Sequence, residues 1–214
     1  MSIVNEGIEA YLEGLSPLEC PVLKRLDREG VAEGIPNVKH STAMVIRSLL
    51  ALAKPKKILE IGTAIAYSTI HMAQAAPDAV IFTMEKQQDR AERAKRNIEE
   101  AGLSDRVHVW TGDAMEMIPT IKSSYDVIFI DAAKGKYTFF LDQAVSLCRP
   151  GGMILTDNVL FRGFVTGEHK PEKVATQNLV QKMKLFNQYL IAHPELITSI
   201  IPVGDGLAIS VKKG

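Results

Sequence analysis

The chain has 214 residues, 46% of them hydrophobic, which suits one compact domain with a sizeable buried core. Its 25 basic and 25 acidic residues cancel, so no global field draws it to DNA, RNA or anionic lipid, and an RNA partner needs a local basic patch. Cys20 and Cys148 form no CxxC pair, the N-terminus is acidic where an export signal is basic, and Arg47 and Ser48 break the apolar run 45–53. These features predict a cytoplasmic protein with reduced thiols and no membrane span.

In chain order, residues 1–55 read as an N-terminal helical cap within a single domain spanning 1–214. Punctuation at Ser16-Pro17 and Ile35-Pro36 divides the cap into two or three helices. Short β-branched runs at 56–62, 80–86, 107–113, 125–132 and 152–159 then alternate with helical stretches, the rhythm of a parallel, doubly wound sheet. The runs ILEI and VIFI are apolar at successive positions, as strands covered on both faces are. Between the second and third strands, 87–101 reads as a solvated helix with Asp89/Arg93 and Glu92/Arg96 four apart, ending at a left-handed Gly102. The last two runs, 197–203 and 207–213, are joined by Gly204-Asp205-Gly206 and read as an antiparallel hairpin. The fold class is therefore α/β: a Rossmann-like, seven-stranded, mostly parallel sheet ending in an antiparallel hairpin, with helices on both faces. That is the arrangement of class I methyltransferases.

The turn after the first strand, from Glu60 through Gly62, Thr63, Ala64, Ile65 and Ala66 to Tyr67 and Ser68, has the pattern G-x-A-x-A. A dinucleotide site uses G-x-G-x-x-G to seat a pyrophosphate, and only its first glycine is present here. A ligand without pyrophosphate, such as S-adenosylmethionine, suits this turn better, with Glu60, Gly62, Tyr67 and Ser68 as candidate contacts. Glu85 closes the second strand roughly twenty residues on, where an acidic side chain meets ribose hydroxyls, and Asp113 and Ala114 follow the third strand, where adenine would lie. The bland alternative is that such carboxylates only cap helices.

The fourth strand ends at Asp131 and the fifth at Asp157-Asn158, so three oxygen donors converge at the carboxyl edge of neighbouring strands. Without His or Cys nearby in sequence, this set suits a hard cation such as Mg²⁺. Lys134, one short turn past Asp131, could act there as a base or stay charged beside an oxyanion. Asp131 and Asp157 as helix caps beside a solvated Lys134 is the competing reading. The five histidines share no ligand-like spacing, and Trp110 on the third strand fits core packing or an adenine-edge contact.

These residues resemble the cation-dependent O-methyltransferases that include the caffeoyl-CoA and catechol enzymes. The resemblance rests on Leu59-Glu60-Ile61-Gly62 with Tyr67-Ser68, on 126–134, on 156–161 and on 202–207, and it covers nearly all of the chain after about residue 36. It implies that Asp131, Asp157 and Asn158 bind Mg²⁺, that Lys134 is catalytic together with Asp131, and that Ser68, Glu85 and Ala114 contact the cofactor. It adds Val38 as a backbone contact and Asp131 as a shared ligand of metal and cofactor, and it implies a homodimer through the N-terminal helices. Animal catechol enzymes place His-Trp between the metal aspartate and the lysine, whereas Ala132 and Ala133 stand here. The motifs together are most similar to the bacterial branch that methylates 5-hydroxyuridine at the wobble position, which makes a tRNA anticodon loop the expected partner. A single-stranded base can be splayed into a pocket without melting a duplex. Lys134, Lys136 and Arg162 could meet phosphates, while Lys170 and Lys173 read as solvated surface, and 161–174 has the composition of a lid. The alternatives are an O-methyltransferase of small catechols or phenylpropanoids, a dehydrogenase disfavoured by the missing glycines, and a non-catalytic adenosyl-binding module.

Overall fold

The computed structural model describes residues 3–214. Three helices come first. The side chain of Asn5 caps α1 (Glu6–Leu15), accepting from the amides of Gly7 and Ile8. Pro21 opens α2 (Pro21–Glu33), where a missing N–H costs nothing, and Gly34 ends it in the left-handed region. The third, α3 (His40–Ala53), buries Thr42, Ala43, Ile46 and Leu50.

The alternating part follows as β1 (Lys57–Ile61), α4 (Tyr67–Ala75), β2 (Val80–Glu85), α5 (Gln88–Glu100), β3 (Val107–Thr111), α6 (Ala114–Met117), β4 (Tyr125–Ile130), α7 (Tyr137–Leu147) and β5 (Cys148–Thr156). After α8 (Val174–Ala192), β6 (Leu196–Ile201) and β7 (Leu207–Lys212) form the closing hairpin. The sheet order is β3-β2-β1-β4-β5-β7-β6, with β1 to β5 parallel and β7 antiparallel to both its neighbours. Ile58 lies opposite Ile81 and Val127, so apolar residues stack across the centre. Alternate residues serve the two faces. Ile58, Ile81, Val127 and Phe129 pack with Leu26, Ile46 and Ile70 on one side. Leu59, Ile61, Ile128 and Ile130 pack with Phe140, Leu141 and Phe186 on the other. Among the described residues no helix is long and apolar enough to cross a membrane.

The expected seven-stranded architecture is the one observed, with three differences of physical interest. The first five runs end one or more residues earlier than expected, because Gly62, Lys86, Asp113, Asp131 and Asp157 lie past the strand ends, in the loops at the carboxyl edge. The fifth strand starts at Cys148 rather than 152, since Cys148 pairs with Tyr125 across a register shift that Pro150 and Gly151 conceal in the sequence. The charged helix is also more than a solvated one. Arg93 reaches Glu29 and Glu33 of α2 at 2.6–2.8 Å, and Arg25 reaches Asn97 and Glu100, so α5 is bonded to the N-terminal cap.

Strand order reverses between β1, which leads outward to β2, and β4, which leads outward to β5. Open α/β sheets bind ligands in the crevice at that point, beyond the carboxyl ends of the strands.

Candidate active site

At the reversal, β1 and β4 approach so closely that a Cβ on Gly62 (φ 107°) would lie 2.0 Å from the Asp131 carbonyl oxygen. Only glycine fits there. The chain then passes through Ala64 (φ 48°) and Ala66 (φ 72°), both in the left-handed region that L residues disfavour by about 1–2 kcal/mol each. Three contacts hold this turn. Glu85 Oε2 accepts from the Ala64 amide at 2.9 Å, Asn97 Nδ2 donates to the Ile65 carbonyl at 2.9 Å, and the Ala66 amide returns to the Thr63 carbonyl.

Glu60 is placed differently from the expectation that it contacts a cofactor. It is fully buried behind the turn, where its carboxylate accepts from Ser68 Oγ and Thr69 Oγ1 at 2.5 Å and from Thr83 Oγ1 at 2.6 Å. Burial pushes its carboxyl up to about 7, against the pull of the three hydroxyls. Glu60 anchors the loop from beneath, and Ser68 both hangs from it and faces the cavity.

That cavity, about 410 Å³, is bounded by Val38, Gly62, Tyr67 and Ser68 on the β1 side and by Glu85, Asp113 and Ala114 beyond β2 and β3. Asp131, Lys134 and Asn158 complete it from β4 and β5. The cofactor candidates other than Glu60 thus share one cavity. Asp113 also caps α6, accepting from the Met115 amide, and pairs with Lys86 at 2.7 Å, so the capping alternative is realised at this residue. Sequence reading passed over Asn37, Gln87 and Arg90, which line the cavity as well. Their one signal was proximity to Val38 and Glu85.

Neither Asp131 nor Asp157 caps a helix: the residues preceding the next helical turns are Ala133, Lys136 and Leu160. The two aspartates continue the ladder by backbone instead, Asp131 donating to the Ile61 carbonyl and Asp157 to that of Ile130. Asp157 is 1% exposed, its Oδ2 accepts from Asn158 Nδ2 at 3.0 Å, and its buried Oδ1 has no partner. Burial raises the carboxyl pKa of both aspartates, and in Asp157 the nearby Asp131 charge raises it further. A buried carboxylate with an orphaned oxygen, close enough to the half-buried Asp131 carboxylate to feel its charge, fits a hard divalent cation, which would offset both the desolvation and the repulsion. Among the described residues no cluster of three His, Cys, Asp or Glu could hold a metal, and the candidate third donor read from the sequence is the amide oxygen of Asn158. Asn158 adopts φ 60°, and Lys134 Nζ donates to its Oδ1 at 2.7 Å. The Phe161 ring lies 5.9 Å from the same Nζ. Trp110 packs on Phe82 at 5.0 Å, which favours its core role.

A family model described as O-methyltransferase matches residues 13–213. The chain belongs to the O-methyltransferase family. It is 33% identical over 222 residues to the catechol O-methyltransferase of Niastella koreensis, covering 98% of each chain. It is 29% identical over 206 residues to caffeoyl-CoA O-methyltransferase 1 of Eucalyptus globulus, covering 90% of this chain and 82% of that one. Among solved structures it is similar to the O-methyltransferase of Bacillus cereus in complex with SAH, with a TM-score of 0.83, 27% identity and 97% of each chain covered. The sheet with its closing hairpin is accordingly the Rossmann-like methyltransferase fold, and the protein is an O-methyltransferase.

In this O-methyltransferase the far side of the site is built by 158–163 and by the β6–β7 turn. The amides of Val159 and Leu160 donate to the carbonyls of Gly206 and Asp205, both at 3.0 Å. Tyr137, fully buried on α7, donates its hydroxyl to the Asp157 carbonyl at 3.0 Å. Tyr137 carries no signal in the sequence, and Asp205 reads there only as part of the hairpin turn.

Proposed function

We propose that this chain transfers a methyl group from S-adenosylmethionine to a hydroxyl oxygen with the help of a divalent cation, and that the acceptor is 5-hydroxyuridine in a tRNA anticodon loop. The observation that carries the reaction class is the convergence of Asp131, Lys134 and Asn158 on the cavity walled by the Gly62–Ser68 turn, with buried Asp157 bonded to Asn158 beside them. S-adenosylmethionine supplies an electrophilic methyl from its sulfonium, and the cation supplies charge that favours the acceptor oxyanion. The protein's own part is positional. Gly62, Ser68 and Glu85 would seat the donor, with Val38, Asp113 and Ala114 also lining the cavity that would hold it. Asp131, Asp157 and Asn158 would hold the cation. Lys134, held by its bond to Asn158 Oδ1, would as a neutral amine take the proton of the acceptor hydroxyl, and bound S-adenosylmethionine would supply the methyl and leave as S-adenosylhomocysteine.

Support for the tRNA acceptor comes from the motif strings at 131–135, 156–161 and 201–210 and from small Ala132 and Ala133 beside the metal aspartate, which leave room for a base. Lys39, Lys86, Lys136 and Arg162 are exposed around the site and could meet phosphates, a local patch on a neutral protein. The kinship to a catechol O-methyltransferase favours a second reading, a small vicinal diol acceptor. Methyl transfer from labelled S-adenosylmethionine to tRNA carrying 5-hydroxyuridine, run beside catechol and caffeoyl-CoA with and without Mg²⁺, separates them. Labelling of the tRNA nucleoside supports the first reading, and labelling of catechols alone ends it. Cofactor binding without turnover on any acceptor makes the protein a binding module.

A further inference from the structure

The wall that carries Asn158 follows a path L residues disfavour. Asn158 (φ 60°), Phe161 (φ 45°) and Arg162 (φ 55°) all lie in the left-handed region within five consecutive positions. Such a path persists only when its surroundings hold it. What holds it is the β6–β7 turn, some 43 residues further along the chain. Asp205 uses both its ends: its carbonyl accepts from the Leu160 amide at 3.0 Å, and its carboxylate Oδ1 accepts from the Arg162 amide. The Gly206 carbonyl takes the Val159 amide.

The turn is itself wedged. A Cβ on Gly204 would lie 2.2 Å from Thr42 Oγ1 on α3, and one on Gly206 would lie 2.4 Å from Leu160 Cγ. Asp205 is therefore delivered to the segment by a turn with no freedom to retreat. At the near end of that segment Asn158 receives Lys134 Nζ, and the Phe161 ring borders the same amine.

We propose that Asp205 is a positioning residue for methyl transfer: by accepting the Arg162 amide it locks 158–162 in the strained conformation that presents Asn158 and Phe161 to Lys134. The inference rests on the reading that Asn158 and Lys134 work in the reaction, and it assigns no contact between Asp205 and substrate. The Arg162 amide lies at an exposed position, so what this bond supplies is the fixing of the strained backbone path by an oxygen acceptor held on a wedged turn, not the pairing of a buried donor.

The test compares Asp205→Ala, which removes the acceptor, with Asp205→Asn, which keeps an oxygen in place. Amide hydrogen exchange across 158–163 reads the lock without any acceptor substrate. Steady-state turnover and S-adenosylhomocysteine binding read its consequence. The Asp205→Ala protein is expected to exchange faster across this segment alone and to lose about 10- to 100-fold in kcat, what one such hydrogen bond is worth. Its S-adenosylhomocysteine affinity is expected to stay within about twofold, since the lock touches no donor contact. The Asp205→Asn protein is expected to stay near wild type in all three. Unchanged exchange in Asp205→Ala overturns the proposal, as does equal damage in Asp205→Asn, or a loss of S-adenosylhomocysteine affinity as large as the loss of kcat. Should Asp205→Ala fail to fold, damage to the segment in Asp205→Asn overturns the lock and its preservation upholds it. If the wild type methylates no acceptor, the proposed function fails while the exchange measurement still decides the lock.

Discussion

Lys134 Nζ donates to Asn158 Oδ1 at 2.7 Å, joining the loop after β4 to the loop after β5 across the mouth of the site. One link thus fixes the amine together with the amide oxygen proposed as a cation ligand. Lys134→Ala is expected to lower turnover by about 100- to 10,000-fold, the usual worth of a positioned proton-transfer group. Lys134→Arg should not restore it, because a planar fork cannot occupy the place of a point donor. S-adenosylhomocysteine affinity, measured by calorimetry, should hardly change. An affinity loss matching the turnover loss would instead put Lys134 at the donor.

Removing the cation should show in stability before any substrate is added. Asp131 and Asp157 have carboxyl pKa values raised by burial, and by mutual charge in Asp157. A raised folded-state carboxyl binds more protons than its unfolded counterpart, so stability falls as pH rises from the ordinary carboxylate range through the folded value. With chelator present, Tm is therefore expected to drop between about pH 5 and pH 8. With Mg²⁺ in excess the drop should shrink, because binding to the folded state offsets it. Identical profiles with and without Mg²⁺ would remove the cation from this site.

Glu60 adds to that slope from a place no cation reaches. Its carboxyl is pushed up to about 7 from an ordinary value of 4.5, so ionising it above pH 7 costs about 3 kcal/mol at 1.36 kcal/mol per pH unit. Glu60→Gln mimics the protonated acid and should flatten the stability profile by about that amount between pH 5 and pH 8, as read by urea unfolding in chelator. Glu60→Ala should destabilise at every pH, since Ser68, Thr69 and Thr83 lose their acceptor.

Much of this site was legible because each strand of a parallel sheet hands one residue to the carboxyl edge. Gly62, Glu85, Asp113, Asp131 and Asp157 announce themselves by following apolar runs. Glu60 misled by its type. It shares a strand face with Ile58, one residue short of the strand's end, so helices cover it, whereas Glu85 closes its strand and reaches the cavity. Arg93 was paired by helical spacing with Asp89, but α2 offers it two carboxylates held by other packing. Asp205 sits in a sequence that signals a turn, and nothing local says which backbone that turn will meet.

The first helix presents an apolar stripe that the described residues leave largely exposed. Ile8, Tyr11, Leu12 and Leu15 fall three and four apart, are 44–66% exposed, and α1 contributes no buried residue. The homodimer expected from the family resemblance would cover this stripe. Tyr11→Asp combined with Leu15→Asp is then expected to give a monomer by sedimentation, with little change in unfolding because no core contact is lost. A wild-type protein that sediments as a monomer at tens of micromolar would remove the dimer.

Gly62→Ala tests the crossing on which the whole site depends. The added Cβ would meet the Asp131 carbonyl oxygen at 2.0 Å, and the Asp131 carbonyl carbon lies 2.8 Å away, so backbone rather than a flexible side chain must yield. Relief by moving β4 away would break the bond from the Asp131 amide to the Ile61 carbonyl and displace the Asp131 carboxylate. Relief by moving the turn would strain Ala64 and Ala66, which already occupy the left-handed region. Either route damages donor and cation sites together, at a cost of about 3 kcal/mol or more in stability. S-adenosylhomocysteine binding and Mg²⁺-dependent stabilisation should therefore be lost in parallel in any Gly62→Ala protein that folds. Loss of one with the other intact would show that the two sites are not coupled through this crossing.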